Sequence, residues 1–155
     1  AILTKNKRVR SNNNSSEFIL APAQITDHGN DVVVTRTDVN EIQLAKGAIR
    51  TGIEILLSEQ GITSPQIDQF IVAGAFGTYI DIKSAINIGM FPNLPTQRFS
   101  QVGNAAGEGA RQMLISKQRR EIAEQLARRI NYIELSNHPN FTNVFSNSLF
   151  FPNSI

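Results

Sequence analysis

The chain has 155 residues, a formal net charge of +2 and no cysteine. Its length predicts one compact domain with an ordinary core, and a charge this small argues against a nucleic-acid or membrane binder. The lack of cysteine excludes disulfides, zinc–thiolate sites and iron–sulfur ligation by these residues. The sequence contains no apolar run near the ~20 residues that span a bilayer, and its polar, basic start is unlike a signal peptide.

The N-terminal residues 1–17 are predicted to form a poorly ordered tail. A basic start is followed there by the polar run Ser11–Ser16, which has too little apolar surface to bury. Residues 18–155 are predicted to form a single α/β domain. The apolar runs Phe18–Ala21 and Val32–Thr35, separated by a turn-rich stretch, are typical of strands.

A long helix is predicted next. Thr37 and Asp38 are candidate N-caps, and Glu41 stands three residues after Asp38 in capping-box position. We expect the helix to run to about Gln60, where Gly61 ends it. One helical face carries apolar residues at spacings of three, four and seven and is expected to be buried. Its members are Ile42, Ala45, Ile49, Ile53 and Leu56.

Glycines inside that helix predict close packing against it. Gly47 and Gly52 lower the helix propensity by roughly 2 kcal/mol together, so a neighbouring element is expected to approach the backbone there. Gly107 and Gly109, in a helix predicted for Asn104–Ser116, are interpreted in the same way.

Shorter elements complete the pattern. Asp81 is expected to cap a short helix that ends near Ile88, and residues Lys117–Ile130 have the periodicity of an amphipathic helix. Strands and helices alternate from Val32 onwards, which favours a three-layer α/β domain.

Two glycine turns, each following an apolar strand, are the strongest functional signal. The first lies in Phe70–Gly77 and the second in Phe99–Ala110. Glycine permits a positive φ and a close approach of ligand to backbone, and a helix that starts after such a turn offers unpaired N–H groups. This pattern is typical of nucleotide sites in α/β proteins, although either turn alone is also explained as a tight structural turn.

Several strings in register carry a family resemblance. They are Glu41–Arg50, Val72–Asp81, Val102–Arg111, Tyr132–Leu135 and Phe150–Pro152. In this order the sequence resembles the C-terminal part of the reductive activators of corrinoid-dependent methyltransferases. Those proteins belong to the superfamily of acetate and sugar kinases, heat-shock chaperone ATPases and actin. The resemblance implies the ribonuclease-H-like portion of an actin-like ATPase fold.

The resemblance also implies which residues bind a nucleotide. The first glycine turn corresponds to the adenosine motif, although the superfamily usually has a second glycine where this chain has Ala75. The second turn corresponds to the helix that connects the two halves of the ATPase, and Lys46 would reach a ligand oxygen from the long helix. A solvated lysine is the structural alternative for Lys46. The candidate cofactor-binding residues are Lys46, Gly74, Ala75, Phe76, Gly77 and Asn104.

Of these candidates, the residues of the first turn make the sharpest prediction. Gly74 and Gly77 are expected to face an open cleft, with the turn around Ala75 accessible to solvent and the helix start at Asn104 close by. No catalytic residue and no metal ligand is predicted within the chain.

A dinucleotide-binding alternative rests on the spacing Gly103-x-x-x-Gly107-x-Gly109 and on the pair Tyr79 and Lys83. Short-chain dehydrogenases use both features, but in them the glycine motif opens the chain and the Tyr/Lys pair follows far downstream. The order here is reversed and the two features are too close together. We therefore disfavour the dehydrogenase interpretation.

At the level of function, the resemblance implies the ATP-binding part of a cytoplasmic, ATP-dependent reductive activator. The longer protein would use ATP with Mg2+, and an iron–sulfur cluster in an N-terminal portion absent here would reduce the cob(II)alamin of a corrinoid protein or methyltransferase partner. A small-molecule kinase of the same superfamily and a scaffold that binds no nucleotide are the alternatives. The chain is also expected either to self-associate or to leave apolar surface uncovered, and a homodimer through its first two predicted strands is the arrangement considered for the self-association.

Overall fold

The computed structural model describes residues 9–12 and 15–152. The chain divides into two compact units whose boundary lies between Ala45 and Lys46, within a long helix. The assignment of residues 18–155 to one domain of a longer protein stays a prediction. None of the helices in the described part of the chain is both long and apolar enough to cross a membrane.

The first unit contains an antiparallel sheet of three strands. They are β1 (Val9–Asn12), β2 (Ser15–Ala21) and β3 (Val32–Thr35), with β2 in the centre. Val9 pairs with Phe18 on one side of β2, and Phe18 pairs with Val34 on the other. The predicted tail is therefore wrong for residues 9–12 and 15–17, which form strands. The remaining residues of that tail lie outside the described part of the chain.

Ion pairing explains why so polar a segment forms a strand. The guanidinium of Arg10 donates to the nearly buried carboxylate of Glu17 and to Asp31 Oδ2 at 2.5 Å. Asp31 also accepts from the Ala23 backbone N–H at 2.6 Å, and this bond, followed by the one from Arg10, lowers the pKa of the Asp31 carboxyl. The charged side chains satisfy one another across the sheet, which polarity alone does not reveal.

The long helix α1 spans Arg36–Glu59 and begins before both candidate caps. Neither Thr37 nor Asp38 is its N-cap. Thr35 Oγ1 accepts from the Asp38 backbone N–H at 3.2 Å, while the Asp38 carboxylate accepts from the Thr35 backbone N–H at 2.8 Å. These are the reciprocal bonds of a capping box, shifted three residues toward the N-terminus. Gly61, at φ +64°, follows the end of the helix as expected.

The predicted buried face of α1 is confirmed at Ile53, which is half-buried and packs against the core, but it is wrong for the other apolar members. Ile42, Ile49 and Leu56 are 43–52% exposed. The buried residues lie on another face, and they are Lys46, Gly47, Thr51, Ile55 and Leu57. Apolar residues surround this helix, so periodicity alone could not decide which face is covered.

The second unit is built on two parallel strands, β4 (Phe70–Ala73) and β5 (Phe99–Gly103). At their start, the rings of Phe70 and Phe99 lie 5.1 Å apart between centroids, and Phe91 packs against both. This aromatic cluster joins buried Val72 and Ala85 in the core of the unit, so the opposite, carboxyl ends of the strands lie away from the packed rings.

The remaining helices are short. They are α2 (Ala75–Tyr79), α3 (Ile82–Asn87), α4 (Ala105–Ile115), α5 (Lys117–Ala127) and α6 (Phe141–Ser148). Asp81 caps α3 by accepting from the Ser84 backbone N–H at 2.7 Å, as predicted. Helix α5 ends three residues before the predicted Ile130.

The packing expected at the α1 glycines is confirmed. A Cβ at Gly47 would lie 2.9 Å from Leu149 Cδ2, and one at Gly52 would lie 3.6 Å from Leu135 Cδ1. The segment around α6 therefore packs directly on the α1 backbone.

Candidate functional site

The two glycine turns lie side by side at the carboxyl ends of β4 and β5. The Gly74 backbone N–H donates to the Gly103 carbonyl at 2.6 Å. The strand register shifts between Val72 and Ala73, so that Val72 pairs with Gln101 while Ala73 pairs with Gly103. We call Gly74–Gly77 together with Gly103 and Asn104 the glycine junction. Carboxyl ends of adjacent parallel strands are where open α/β sheets bind ligands.

Gly74 has the backbone conformation that only glycine adopts readily. Its φ of +97° and ψ of 158° lie in a region closed to other residues. A Cβ placed there would have no atom within 4 Å, and Ala75 beside it is exposed. The predicted open, accessible turn is confirmed at these two residues, with Asn104 close by as expected.

Gly77 differs from Gly74, and the prediction that it faces an open cleft is wrong. It is buried, and a Cβ there would lie 2.7 Å from Val72 Cγ1. Its lack of a side chain lets α2 fold back onto β4. Glycine is required at position 77 by close packing against Val72 and at position 74 by the positive φ. The space that a side chain at position 74 would occupy is empty.

Helix α2 presents aromatic side chains to solvent. Phe76 is 86% exposed and Tyr79 is 89% exposed. Phe76 stands directly after the open turn, where a planar ring offers a stacking surface for another aromatic group.

Asn104 is the N-cap of α4. Its Oδ1 accepts from the Gly107 backbone N–H at 2.9 Å, and a Cβ at Gly107 would overlap the Asn104 side-chain amide. Gly107 therefore makes room for the capping amide of the same turn rather than for a neighbouring element. A Cβ at Gly109 would meet no atom within 4 Å, so the close packing predicted for that glycine is wrong.

Lys46 is buried rather than solvated. Its contacts in the described part of the chain are with residues near the C-terminus and not with the glycine junction. It is 1% exposed, its Nζ donates to the Phe150 carbonyl, and it lies 5.3 Å from the centroid of the Phe151 ring. Burial, and to a smaller extent the nearby charge of Arg50, lower the pKa of the ammonium. The solvated-lysine alternative is wrong, and ligand contact by Lys46 stays a prediction.

Gln101 is a residue of this region that the sequence reasoning missed. Its Nε2 donates to the carbonyls of Gly77 at 2.5 Å and Ile80 at 2.9 Å. The available signal was one long polar side chain inside an otherwise strand-like run, Phe99–Gly103. Its partners depend on the register of β5 against β4, which the sequence does not show.

Comparison with known proteins identifies a matching family and a similar solved structure. Residues 2–155 match the family model described as the C-terminal domain of RACo, the ASKHA domain. The solved structure of a reductive activator for corrinoid, iron–sulfur protein superposes with a TM-score of 0.78 at 35% identity. That alignment covers 95% of this chain and 23% of the other.

Curated relatives agree with these matches. The corrinoid activation enzyme RamQ of Eubacterium limosum is 34% identical over 151 residues, covering 97% of this chain and 26% of RamQ. The [Co(II) methylated amine-specific corrinoid protein] reductase of Methanosarcina barkeri is 28% identical over 119 residues, covering 76% of this chain and 22% of the reductase. The chain thus spans about a quarter of the length of the curated relatives that it matches.

Proposed function

The chain belongs to the family of the C-terminal ASKHA domain of RACo, and on that premise we propose that it is the adenosine-binding part of an ATP-dependent reductive activator of a corrinoid protein. Its mixed α/β fold is the actin-like fold that the sequence predicted. The relatives named above are activation enzymes or reductases of corrinoid proteins. We assign the same class of partner, a corrinoid protein or methyltransferase, to the protein that carries this chain.

The observation that carries the proposal is the open side of Gly74. The only backbone donor of this residue is turned inward to Gly103, and nothing lies within 4 Å of its missing side chain. A flat ligand can therefore approach the backbone as closely as van der Waals contact allows. Phe76, two residues further along the chain, has an exposed ring, which is a stacking surface that suits a purine base.

The residues present fit the adenosine moiety better than they fit the rest of ATP with Mg2+. Within residues 9–12 and 15–152, His, Asp and Glu side chains form no group of three that could hold a metal ion. We assign the triphosphate and Mg2+ contacts, like the cysteine-bound iron–sulfur cluster, to other portions of the longer protein, because the chain spans about a quarter of its curated relatives and contains no cysteine. ATP would supply the free energy of its hydrolysis, and this chain would hold and orient the nucleoside.

Amide chemical shifts of the 15N-labelled chain test the proposal. Titration with ADP is expected to give the largest chemical-shift changes at Gly74–Gly77 and Gly103–Ala105. A matching concentration of inorganic phosphate is expected to leave these signals unchanged. Shifts spread elsewhere, or none at saturating ADP, would favour a scaffold without a nucleotide site.

A pair of variants makes the test specific. Ala75→Glu lengthens the side chain on the exposed turn without backbone strain. It is expected to weaken ADP binding at least about tenfold, because a long charged side chain would crowd the surface that the nucleoside is proposed to contact. Ala127→Glu, also at an exposed helical position, serves as the matched control and is expected to bind ADP like the unmodified chain.

A further inference from the structure

Helix α2 is held on the sheet by the packing of Gly77 on Val72 and by hydrogen bonds between β5 and its backbone. It has only five residues, and a helix this short is not stable by itself in water. Phe76 and Tyr79 point into solvent and do not anchor it. The position of the helix therefore depends on its packing at Gly77 and on hydrogen bonds from the neighbouring strand.

Strand β5 supplies hydrogen bonds to both ends of this segment. At the start, the Gly103 carbonyl accepts from the Gly74 N–H at 2.6 Å. At the other end, the Gln101 amide donates to the carbonyls of Gly77 and Ile80. Residues 74–80 are thus hydrogen-bonded to two positions of β5, Gln101 and Gly103, which lie two residues apart.

The register explains why Gln101 reaches these carbonyls. Gln101 pairs with Val72, and paired residues on adjacent strands place their side chains on the same face of a sheet. Val72 is the residue that Gly77 packs against, so α2 covers this face. The Gln101 amide consequently meets the last turn of α2, where helix carbonyls lack intrahelical donors.

We propose that Gln101 is a positioning residue for the glycine junction. By capping the carbonyls at the end of α2 it fixes the helix, and with it the open Gly74 turn and the Phe76 ring, relative to Asn104. The ligand part of this inference rests on the proposed function, since it takes an adenine nucleotide to be what the junction binds.

Native-state hydrogen exchange of the labelled chain tests the positioning role without any ligand. Gln101→Met removes both donors and keeps the length of the side chain. It is expected to speed exchange of the Thr78, Tyr79 and Ile80 amides, which lie beyond the unbonded first turn of α2, at least about tenfold. Amides around Ile55 in α1 are expected to stay unchanged. Gln125→Met, on an exposed face of α5, is the matched control and is expected to alter neither set.

Uniformly faster exchange would reduce Gln101 to a general stability residue and overturn the proposal, as would unchanged exchange in α2. Gln101→Glu provides a second variant of similar size, whose carboxylate repels both carbonyls and is expected to act in the same direction. If both variants lose their folded circular dichroism spectrum, the positioning role is likewise rejected.

An ADP titration of the same variants links the role to the ligand. Gln101→Met is expected to raise the dissociation constant for ADP, measured from the shifts at Gly74–Gly77, at least about fivefold. The melting temperature of the chain is expected to change little. If the unmodified chain gives no such shifts but α2 still loosens in the variant, the nucleotide proposal fails and the positioning of α2 by Gln101 stands. If ADP binds both equally, the inference about Gln101 fails and the proposed function stands.

Discussion

At the scale of single residues, Lys46 is a buried charged side chain with defined partners. Its buried ammonium joins α1 to the Phe150 carbonyl and the Phe151 ring. Lys46→Met removes the ammonium that donates to that carbonyl and is expected to lower the free energy of unfolding by about 1–3 kcal/mol. Urea denaturation measures the loss. Lys117→Met, on an exposed position of α5, is the control and is expected to stay within about 0.5 kcal/mol of the unmodified chain. Equal effects would contradict a structural role for Lys46.

Glu108, in the first turn of α4, makes a prediction about pH. Hydrogen bonds from Arg111, and next from Gln112, lower the pKa of its carboxyl from 4.5 to about 2. Because the folded pKa is depressed, the stabilisation is complete above the unfolded value of 4.5 and is lost as the pH falls from there toward about 2. Carboxyl 13C shifts follow the titration, and Arg111→Met is expected to return the pKa toward 4.5. A midpoint near 4.5 in the unmodified chain would refute the pairing.

At the scale of elements, α4 offers two glycines with opposite surroundings. Gly109→Ala meets open space and is expected to stabilise the chain by about 0.5–1 kcal/mol, the difference in helix propensity. Gly107→Ala displaces the Asn104 amide and is expected to cancel this gain or destabilise, since a lost N-cap costs about 1 kcal/mol. Thermal unfolding of both variants measures the two changes in stability. An equal gain at the two positions would show that Asn104 adjusts freely.

The elements that the sequence predicted well are those with local signals. Gly61 ends α1, and Asp81 caps α3 through a bond to a residue three positions away. The elements that it predicted poorly depend on distant partners. Strand β1 exists because Arg10 meets Glu17 and Asp31 across the sheet, and no local pattern encodes that meeting.

The candidate site divides in the same way. The open turn at Gly74 was predictable, because a strand that ends in glycine before a helix is a local pattern. The Gln101 contacts join residues 21 and 24 positions apart, and the contact of Lys46 with Phe150 spans 104 positions. Both require the register and packing of the whole second unit, which single-sequence patterns do not contain.

At the scale of the whole molecule, we expect the isolated chain to bind ATP weakly. The chain spans about a quarter of its relatives, and adenosine contacts alone leave the triphosphate in solvent. Each 1.4 kcal/mol of lost contact energy lowers affinity about tenfold. Calorimetry with and without Mg2+ is expected to show no submicromolar binding to the chain. Submicromolar affinity would mean that these 155 residues already form the complete site.

Uncovered apolar surface also belongs to the molecule as a whole, and its presence is confirmed. Leu114 is 81% exposed, Ile115 71% and Ile130 73%. Because exposed apolar patches favour association, the chain is predicted to self-associate at micromolar concentration, which light scattering measures. Leu114→Lys is expected to weaken the association if it is driven by this surface.

The strands predicted to form a dimer do not contribute equally. Phe18 lies in β2 and is already paired with both neighbouring strands, so it has no backbone left for another chain. In the described three-stranded sheet, β1 and β3 each pair with β2 alone. Of the two strands predicted to form the dimer, β3 therefore has an outer edge that can template an isologous β–β contact with a second copy. Val32→Lys places a charge on this edge and is expected to abolish an edge-to-edge dimer while Leu114→Lys leaves it intact. A clean monomer in the unmodified chain would contradict both routes, and an equal response to the two substitutions would contradict the edge-to-edge arrangement.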